Sequence, residues 1–292
     1  MPSEKNHKRS QAPAIESLLL IGFGNMGQAL YEGWKGADSV GEITIYDPYV
    51  DEDIEESVIR DQDALITETD DLADFADDRF EVIAYAVKPQ ALSGVFKDTG
   101  FLAERVDGAL VLSIIAGKSV TAFEQFFHSD KTAVVRAMPN TPGMIAKGVT
   151  VAYGNEAVDL KQKAKADTLL QAIGDVYWAE SEDQIHAVTA LSGSGPGYLF
   201  YLVEVLEQAA RNLDLPDDIA QGLARQTVIG SGALLEQRNK SDAAELREMV
   251  TSPGGTTEAA LEILMEKESG LQSLMNKAIQ AAEKRSRELA DD

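Results

Sequence analysis

Residues Ser17 to Gly27 read SLLLIGFGNMG, a short apolar run that breaks into glycines at the spacing Gly22-x-Gly24-x-x-Gly27. An apolar run closed by such a turn reads as a buried strand leading into a helix. Each glycine has a separate task there. Gly22 makes the tight turn off the strand, and Gly24 lets the backbone approach a pyrophosphate. Gly27 lets the next helix lie close to the sheet, with its first N–H groups aimed at the anion. Phe23, Asn25 and Met26 stand between these glycines. Twenty residues past Gly27, Asp47 ends a second apolar run, Ile43-Thr44-Ile45-Tyr46, where a carboxylate suits a ribose 2′-OH. A lone glycine fingerprint is weak. The strand before it, the helix after it and the distant acid together point to a nicotinamide or flavin dinucleotide, the alternative being a purely structural corner.

Outward from this stretch, strands are expected at 17–21, 43–46, 82–87, 109–114, 132–138 and 149–153. Helical patterns lie between them at 26–35, 70–76, 89–96 and 120–127. Apolar runs interleaved with helices predict a doubly wound parallel sheet covered on both faces, a Rossmann arrangement. A helix over 156–173 and a last strand over 176–179 follow. From Ser181 onward the pattern is helical only, at 198–212, 219–237, 243–250, 257–266 and 271–289. This division gives a loose tail over 1–16, a dinucleotide-binding domain over 17–180 and an all-α domain over 181–292. The stretch Tyr198–Leu206, YLFYLVEVL, is apolar nearly all round, and such a helix must be buried on every side. With the small-residue run Ile229-Gly230-Ser231-Gly232-Ala233, it predicts an intertwined homodimer. A compact monomeric bundle is the alternative.

Composition narrows the function. The 292 residues carry 26 basic and 49 acidic side chains, a formal net charge of −23. Nucleic acid, which needs a basic stripe to displace counterions, is a poor partner. No apolar stretch reaches the roughly 18 residues a membrane span needs. The polar first sixteen residues do not read as a secretory signal. Cysteine is absent and the three histidines are scattered. No thiolate nucleophile and no metal cluster are therefore expected, and a cytoplasmic location fits.

Two further segments are rich in hydroxyls and glycine: Val188–Tyr198, VTALSGSGPGY, and Val250–Thr257, VTSPGGTT. Backbone N–H groups at a helix start can hold a carboxylate without a lysine or arginine. Ordinary capping by Ser and Thr is the competing reading. Together with Gly22–Gly27 (GFGNMG), Ala86–Pro89 (AVKP), Ala116-Gly117 and Met138–Pro142 (MPNTP), these segments are similar to those of the pyrroline-5-carboxylate reductase family. The resemblance runs in order from about Leu18 to Leu289.

The resemblance implies reduction of 1-pyrroline-5-carboxylate to L-proline, the last step of proline biosynthesis, by a homodimer or a larger ring of dimers. It also implies that Gly22 to Gly27 hold the pyrophosphate. Ala86, Val87, Lys88 and Pro89, with Ala116, border the ribose and nicotinamide, and Asn140 lies near the nicotinamide end. Ser252, Gly254, Gly255 and Thr256 offer donors to the substrate carboxylate. Thr257 supplies a hydroxyl to the ring nitrogen as the catalytic group, and Glu182 falls on the substrate side. Gly197 departs from the family's usual alanine. His186, standing where an acid is common, is read as a surface or interface residue.

Many members of this family use NADPH. Here Asp47 would repel a 2′-phosphate, and Pro48 to Asp53 offer no basic side chain to accept one. NADH is therefore favoured, with NADPH kept open. A β-hydroxyacid dehydrogenase of the 6-phosphogluconate type would need a lysine in the long helix after the glycine segment. YLFYLVEVLEQAAR has none. A non-catalytic redox sensor would have no use for two carboxylate-binding turns.

Overall fold

The computed structural model describes residues 14–50, 58, 63–68, 79–104, 106 and 108–291. The tail over 1–13 and the helix expected over 70–76 lie outside them. The first strand, β1 (Ile15–Ile21), starts two residues earlier than expected, so Ile15 and Glu16 belong to the sheet and not to a tail. After β1 come α1 (Asn25–Ala37), β2 (Val40–Tyr46), β3 (Ala64–Ile66) and β4 (Val82–Tyr85). A 3-10 turn over Pro89–Ala91 leads into α2 (Leu92–Asp98), followed by β5 (Leu110–Ser113), α3 (Val120–Phe126) and β6 (Ala133–Met138). A 3-10 turn at Thr141–Ile145, β7 (Gly148–Gly154), α4 (Leu160–Gln171) and β8 (Gly174–Trp178) complete the sheet-bearing part.

The eight strands lie in the order β3-β2-β1-β4-β5-β6-β7-β8. All neighbours are parallel except β6 and β7, an antiparallel pair in which Arg136 faces Tyr153. The doubly wound parallel sheet expected from the sequence is present, with this one antiparallel pair in it. The turn from Met138 to Gly148 holds only a short 3-10 turn, too little for the helical crossover that a parallel neighbour requires.

Alternation along the strands divides the core in two. Leu18 and Leu20 of β1 pack on one face with Trp34 of α1 and Leu169 of α4. Leu19 and Ile21 pack on the other with Leu92 of α2 and Phe123 of α3. Both faces are buried, which is why β1 reads as an unbroken apolar run. Each such side chain contributes about 1.5–3 kcal/mol by leaving water. The indole Nε1 of Trp34 donates to the Leu169 carbonyl at 2.9 Å and fixes α1 against α4. Helix α4 starts later than the expected 156, because Asp159 and Gln162 form a reciprocal capping box that stops it from extending upstream.

The remaining elements are α5 (Gln184–Val188), a π-helical turn at Thr189–Gly193, α6 (Gly195–Arg211), α7 (Asp217–Gln237), α8 (Ala243–Met249), α9 (Thr256–Leu264) and α10 (Leu271–Asp291). The chain divides into two compact units, Met1–Thr189 with Ser286–Asp292, and Ala190–Arg285. In the second unit the buried hydrophobic residues, among the described ones, are Ala190, Ala220 and Ala224. Its large apolar side chains lie outside. Phe200 and Tyr201 of α6 are about two-thirds exposed, and Leu223 and Ile229 of α7 about half. A helical unit whose buried side chains are small while most of its leucines and aromatics face outward lacks the cover such a surface needs. No helix among the described residues is long and apolar enough to cross a membrane.

Candidate active site

The chain leaves β1 for β2 and β3 on one side, then returns to β4 on the other. A crevice therefore opens between the carboxyl ends of β1 and β4, where wound sheets bind ligands. Gly22 stands at this switch point with φ +98. A Cβ on it would come within 2.6 Å of Val87 Cγ1 and 2.9 Å of the Ala86 carbonyl carbon, so only glycine lets the two strand ends meet. Gly27 is equally constrained, since a Cβ there would sit 2.3 Å from the Gly22 carbonyl oxygen. Gly24 differs. Nothing lies within 4 Å of where its Cβ would be, which leaves open space in front of the turn.

Helix α1 begins at that space with no acidic residue in its first turn. Its first N–H groups are thus available to an anion. The turn is held from behind. Phe23 N–H donates to Asp47 Oδ2 at 2.7 Å, and Gln28 Nε2 donates to the Phe23 carbonyl at 2.8 Å. The Phe23 ring is buried edge-on against Tyr31 and so points away from solvent. Asp47 Oδ1 accepts the Tyr49 N–H at 2.9 Å.

The cleft of about 690 Å³ is lined by Gly22, Gly24, Asp47, Ala86, Val87 and Lys88, six residues expected at the cofactor. Tyr49, Gln90, Ser93 and Asp98 line it too. They went unnoticed in the sequence, although Gln90 and Ser93 lie just past the carboxyl end of β4 and could have been searched for there. Of the remaining candidates, Ala116 lies on the loop after β5 and Asn140 on the loop after β6. Asn140 Oδ1 accepts the Val149 N–H at 2.9 Å and so anchors the start of the antiparallel strand. An open glycine turn, a helix start free of acids and a cleft of this size fit a dinucleotide.

Glu182, expected on the substrate side, is engaged by two groups of the first unit. Its Oε1 accepts the Val120 N–H and an Arg136 guanidinium N–H, both at 2.8 Å. The Arg136 side chain is nearly buried, and its charge explains why the acid is held there. His186 is half-buried with Nδ1 3.0 Å from Ser286 Oγ. Burial foremost, then the charges of Arg136 and Arg287, hold its pKa below the usual histidine range.

In the second unit the Ser252–Thr257 turn runs into α9. Gly254 has φ +71, and Gly255 caps the helix with its N–H on the Ser252 carbonyl at 2.9 Å. Thr256 and Thr257 occupy the first two helical positions. Among the described residues no hydrogen bond of the Ser252, Thr256 or Thr257 hydroxyls to another group is formed, so these side chains are not spent on capping. One donor is taken: Gly254 N–H donates to Glu258 Oε2 at 2.7 Å. Sequence reasoning passed over Glu258, although an acid three residues past a helix cap is a recognised signal for reaching back to such an N–H.

A wound sheet with a glycine turn at its switch point, followed by a helical second unit, is the arrangement of a dinucleotide-binding enzyme. The comparisons narrow this. The family model for pyrroline-5-carboxylate reductase dimerisation matches residues 182–289. A pyrroline-5-carboxylate reductase of Pasteurella multocida is 34% identical over 277 residues, covering 94% of this chain and 98% of its own. One from Synechocystis is 39% identical over 209 residues, 72% of this chain and 75% of its own. The solved pyrroline-5-carboxylate reductase of Coxiella burnetii superimposes with a TM-score of 0.83 at 31% identity, covering 94% of this chain and 99% of that one. The chain belongs to the pyrroline-5-carboxylate reductase family.

Proposed function

We propose that this protein reduces 1-pyrroline-5-carboxylate to L-proline with a reduced nicotinamide dinucleotide. Gly22 to Gly27, Asp47 and Ala86 to Pro89 bind the cofactor, with Ala116 and Asn140 toward its nicotinamide end. The observation that carries this reading is that the chain bears, besides a dinucleotide turn, a second donor-rich turn, Ser252–Thr257, whose hydroxyls are left uncommitted. When bound, the reduced nicotinamide supplies the hydride.

The chain's own work is to bind, orient and hydrogen-bond. Ser252, Gly255 and Thr256 offer the substrate carboxylate a hydroxyl and the N–H groups of a helix start, which favour an anion. The imine reacts in its protonated form. As hydride reaches the carbon of the C=N bond, the electron pair of that bond moves to nitrogen, and the Thr257 hydroxyl donates to the lone pair so formed. No strong base is needed. Holding carbon and hydride donor in contact removes most of the entropic barrier.

The apolar faces of α6 and α7 are the surface over which a second copy packs, in keeping with the dimerisation model that matches this unit. Sedimentation distinguishes a dimer from a ring of dimers. The activity is tested by following reduced-nicotinamide absorbance with the cyclic imine added. Decay dependent on both components supports the reading; none, in folded protein that binds the cofactor, refutes it in favour of a redox sensor.

A further inference from the structure

The turn at Ala116-Gly117 is gripped by a part of the chain far away in sequence. Gly117 has φ +73, a left-handed conformation that favours glycine. A Cβ there would stand 3.2 Å from the carbonyl oxygen of Leu289, so the last turn of α10 lies directly on it. That end of α10 is itself anchored. The Arg287 guanidinium donates to both oxygens of Asp183, through Nη1 to Oδ1 and, at 3.0 Å, through Nη2 to Oδ2. The Ser286 hydroxyl, nearly buried, lies 3.0 Å from His186 Nδ1.

The residue beside Asp183 is Glu182, which accepts the N–H of Val120 just past the turn. Before the turn, Ile114 N–H donates to the Tyr85 carbonyl at 3.0 Å. The turn is thus tied at both ends and pressed in the middle, and Asp183 links the two restraints.

We infer that Arg287, through Asp183, is a positioning residue that seats the end of α10 on Gly117 and so fixes Ala116 for the nicotinamide. This rests on the proposed cofactor role of Ala116. The magnitudes separate positioning from mere stability. The Arg287 and Asp183 side chains are 43% and 69% exposed, and exposed ion pairs add little to folding. A two-pronged contact nevertheless fixes direction well.

The experiment compares Arg287→Ala, Arg287→Lys and the charge exchange Asp183→Arg with Arg287→Asp, with Gly24→Val as the control for the cofactor site. For each, binding of reduced cofactor is read by its fluorescence, and turnover, both KM values and melting temperature are measured. Arg287→Ala is expected to lower turnover roughly tenfold and weaken cofactor binding. The KM for the imine should move less than twofold and the melting temperature by a degree or two at most. The charge exchange should restore most of the turnover, and Arg287→Lys part of it. Turnover and cofactor affinity within twofold of the parent in Arg287→Ala would overturn the inference, as would loss through melting alone that the exchange does not repair. If Gly24→Val leaves cofactor affinity intact, the cofactor reading itself fails. If only Gly24→Val weakens it, the seating role fails alone.

Discussion

The Asp47 carboxylate accepts the Phe23 N–H at 2.7 Å, so the acid that ends the second strand is tied directly to the glycine turn. The same carboxylate accepts the Tyr49 N–H, and both contacts hold its negative charge at the mouth of the cleft. A ribose 2′-OH can donate to it, whereas a 2′-phosphate would meet like charge, with Asp98 adding more acid along the same cleft. We expect kcat/KM with NADH to exceed that with NADPH. Asp47→Ser should shift the ratio toward NADPH by about tenfold, which corresponds to roughly 1.4 kcal/mol. Side-by-side kinetics with the two cofactors check this; NADPH used equally well by the unaltered protein would reverse it.

Thr257 sits at the second position of α9 with its hydroxyl uncommitted. A hydrogen bond to a group whose charge is changing is worth about 1.5–3 kcal/mol. Thr257→Ala should therefore lower turnover roughly ten- to hundredfold while cofactor affinity is unchanged, and Thr257→Ser should recover much of the loss. Unaltered turnover in the alanine variant would remove Thr257 from the chemistry.

Glu258 already occupies the Gly254 N–H, and its charge stands where the substrate carboxylate is proposed to bind. Glu258→Ala frees the donor and removes the repulsion, an effect of about 1 kcal/mol near a helix start. The KM for the imine and the inhibition constant of L-proline should both fall severalfold. A rise in either would mean that Glu258 supports the turn more than it obstructs it.

The sequence made the sheet legible where physics is local. The β1 run, the glycine spacing and Asp47 each impose a need that few residue types meet. The antiparallel β6–β7 pair was hidden because Val149–Tyr153 is as apolar as its parallel neighbours, and direction depends on the brevity of the connection. Short β3 gave no pattern of its own. Glu182 drew notice for its place in the chain, just before the Val188–Tyr198 segment, and its ion pair went unforeseen. Its partners Val120 and Arg136 lie 62 and 46 residues away, and no local signal announces such a pairing. Likewise nothing near Gly117 in sequence foretells the arrival of Leu289.

We expect the Glu182–Arg136 pair to support stability more than binding. Arg136 is nearly buried, so removing Glu182 leaves an uncompensated charge. A fully buried pair would cost about 3–5 kcal/mol to break, and the partial exposure of Glu182 lowers the expectation to roughly 2–3 kcal/mol. Glu182→Ala should melt several degrees lower, at roughly 2–4 °C per kcal/mol. Its KM for the imine in the folded protein should match the parent. A large rise in that KM at unchanged melting temperature would return Glu182 to the substrate side.

His186 makes the stability of this corner sensitive to acid. Burial, Arg136 and Arg287 depress its pKa, while Asp183 and Glu182 pull the other way and only partly offset them. The folded protein therefore protonates His186 only at lower pH than the unfolded chain, which takes up a proton near the ordinary value of about 6.5. The unfolded state binds more protons between those two values, so stability is full above about pH 6.5 and declines as pH falls toward the depressed folded value. Below that value the loss is complete and constant. Carboxylates titrate in the same direction at lower pH, so the measurement is a difference. His186→Gln keeps a partner for Ser286 but cannot titrate, and its melting temperature should fall less steeply than the parent's between pH 7 and pH 5. Parallel curves for the two proteins would show that the proton on His186 carries no weight in holding α10 to α5.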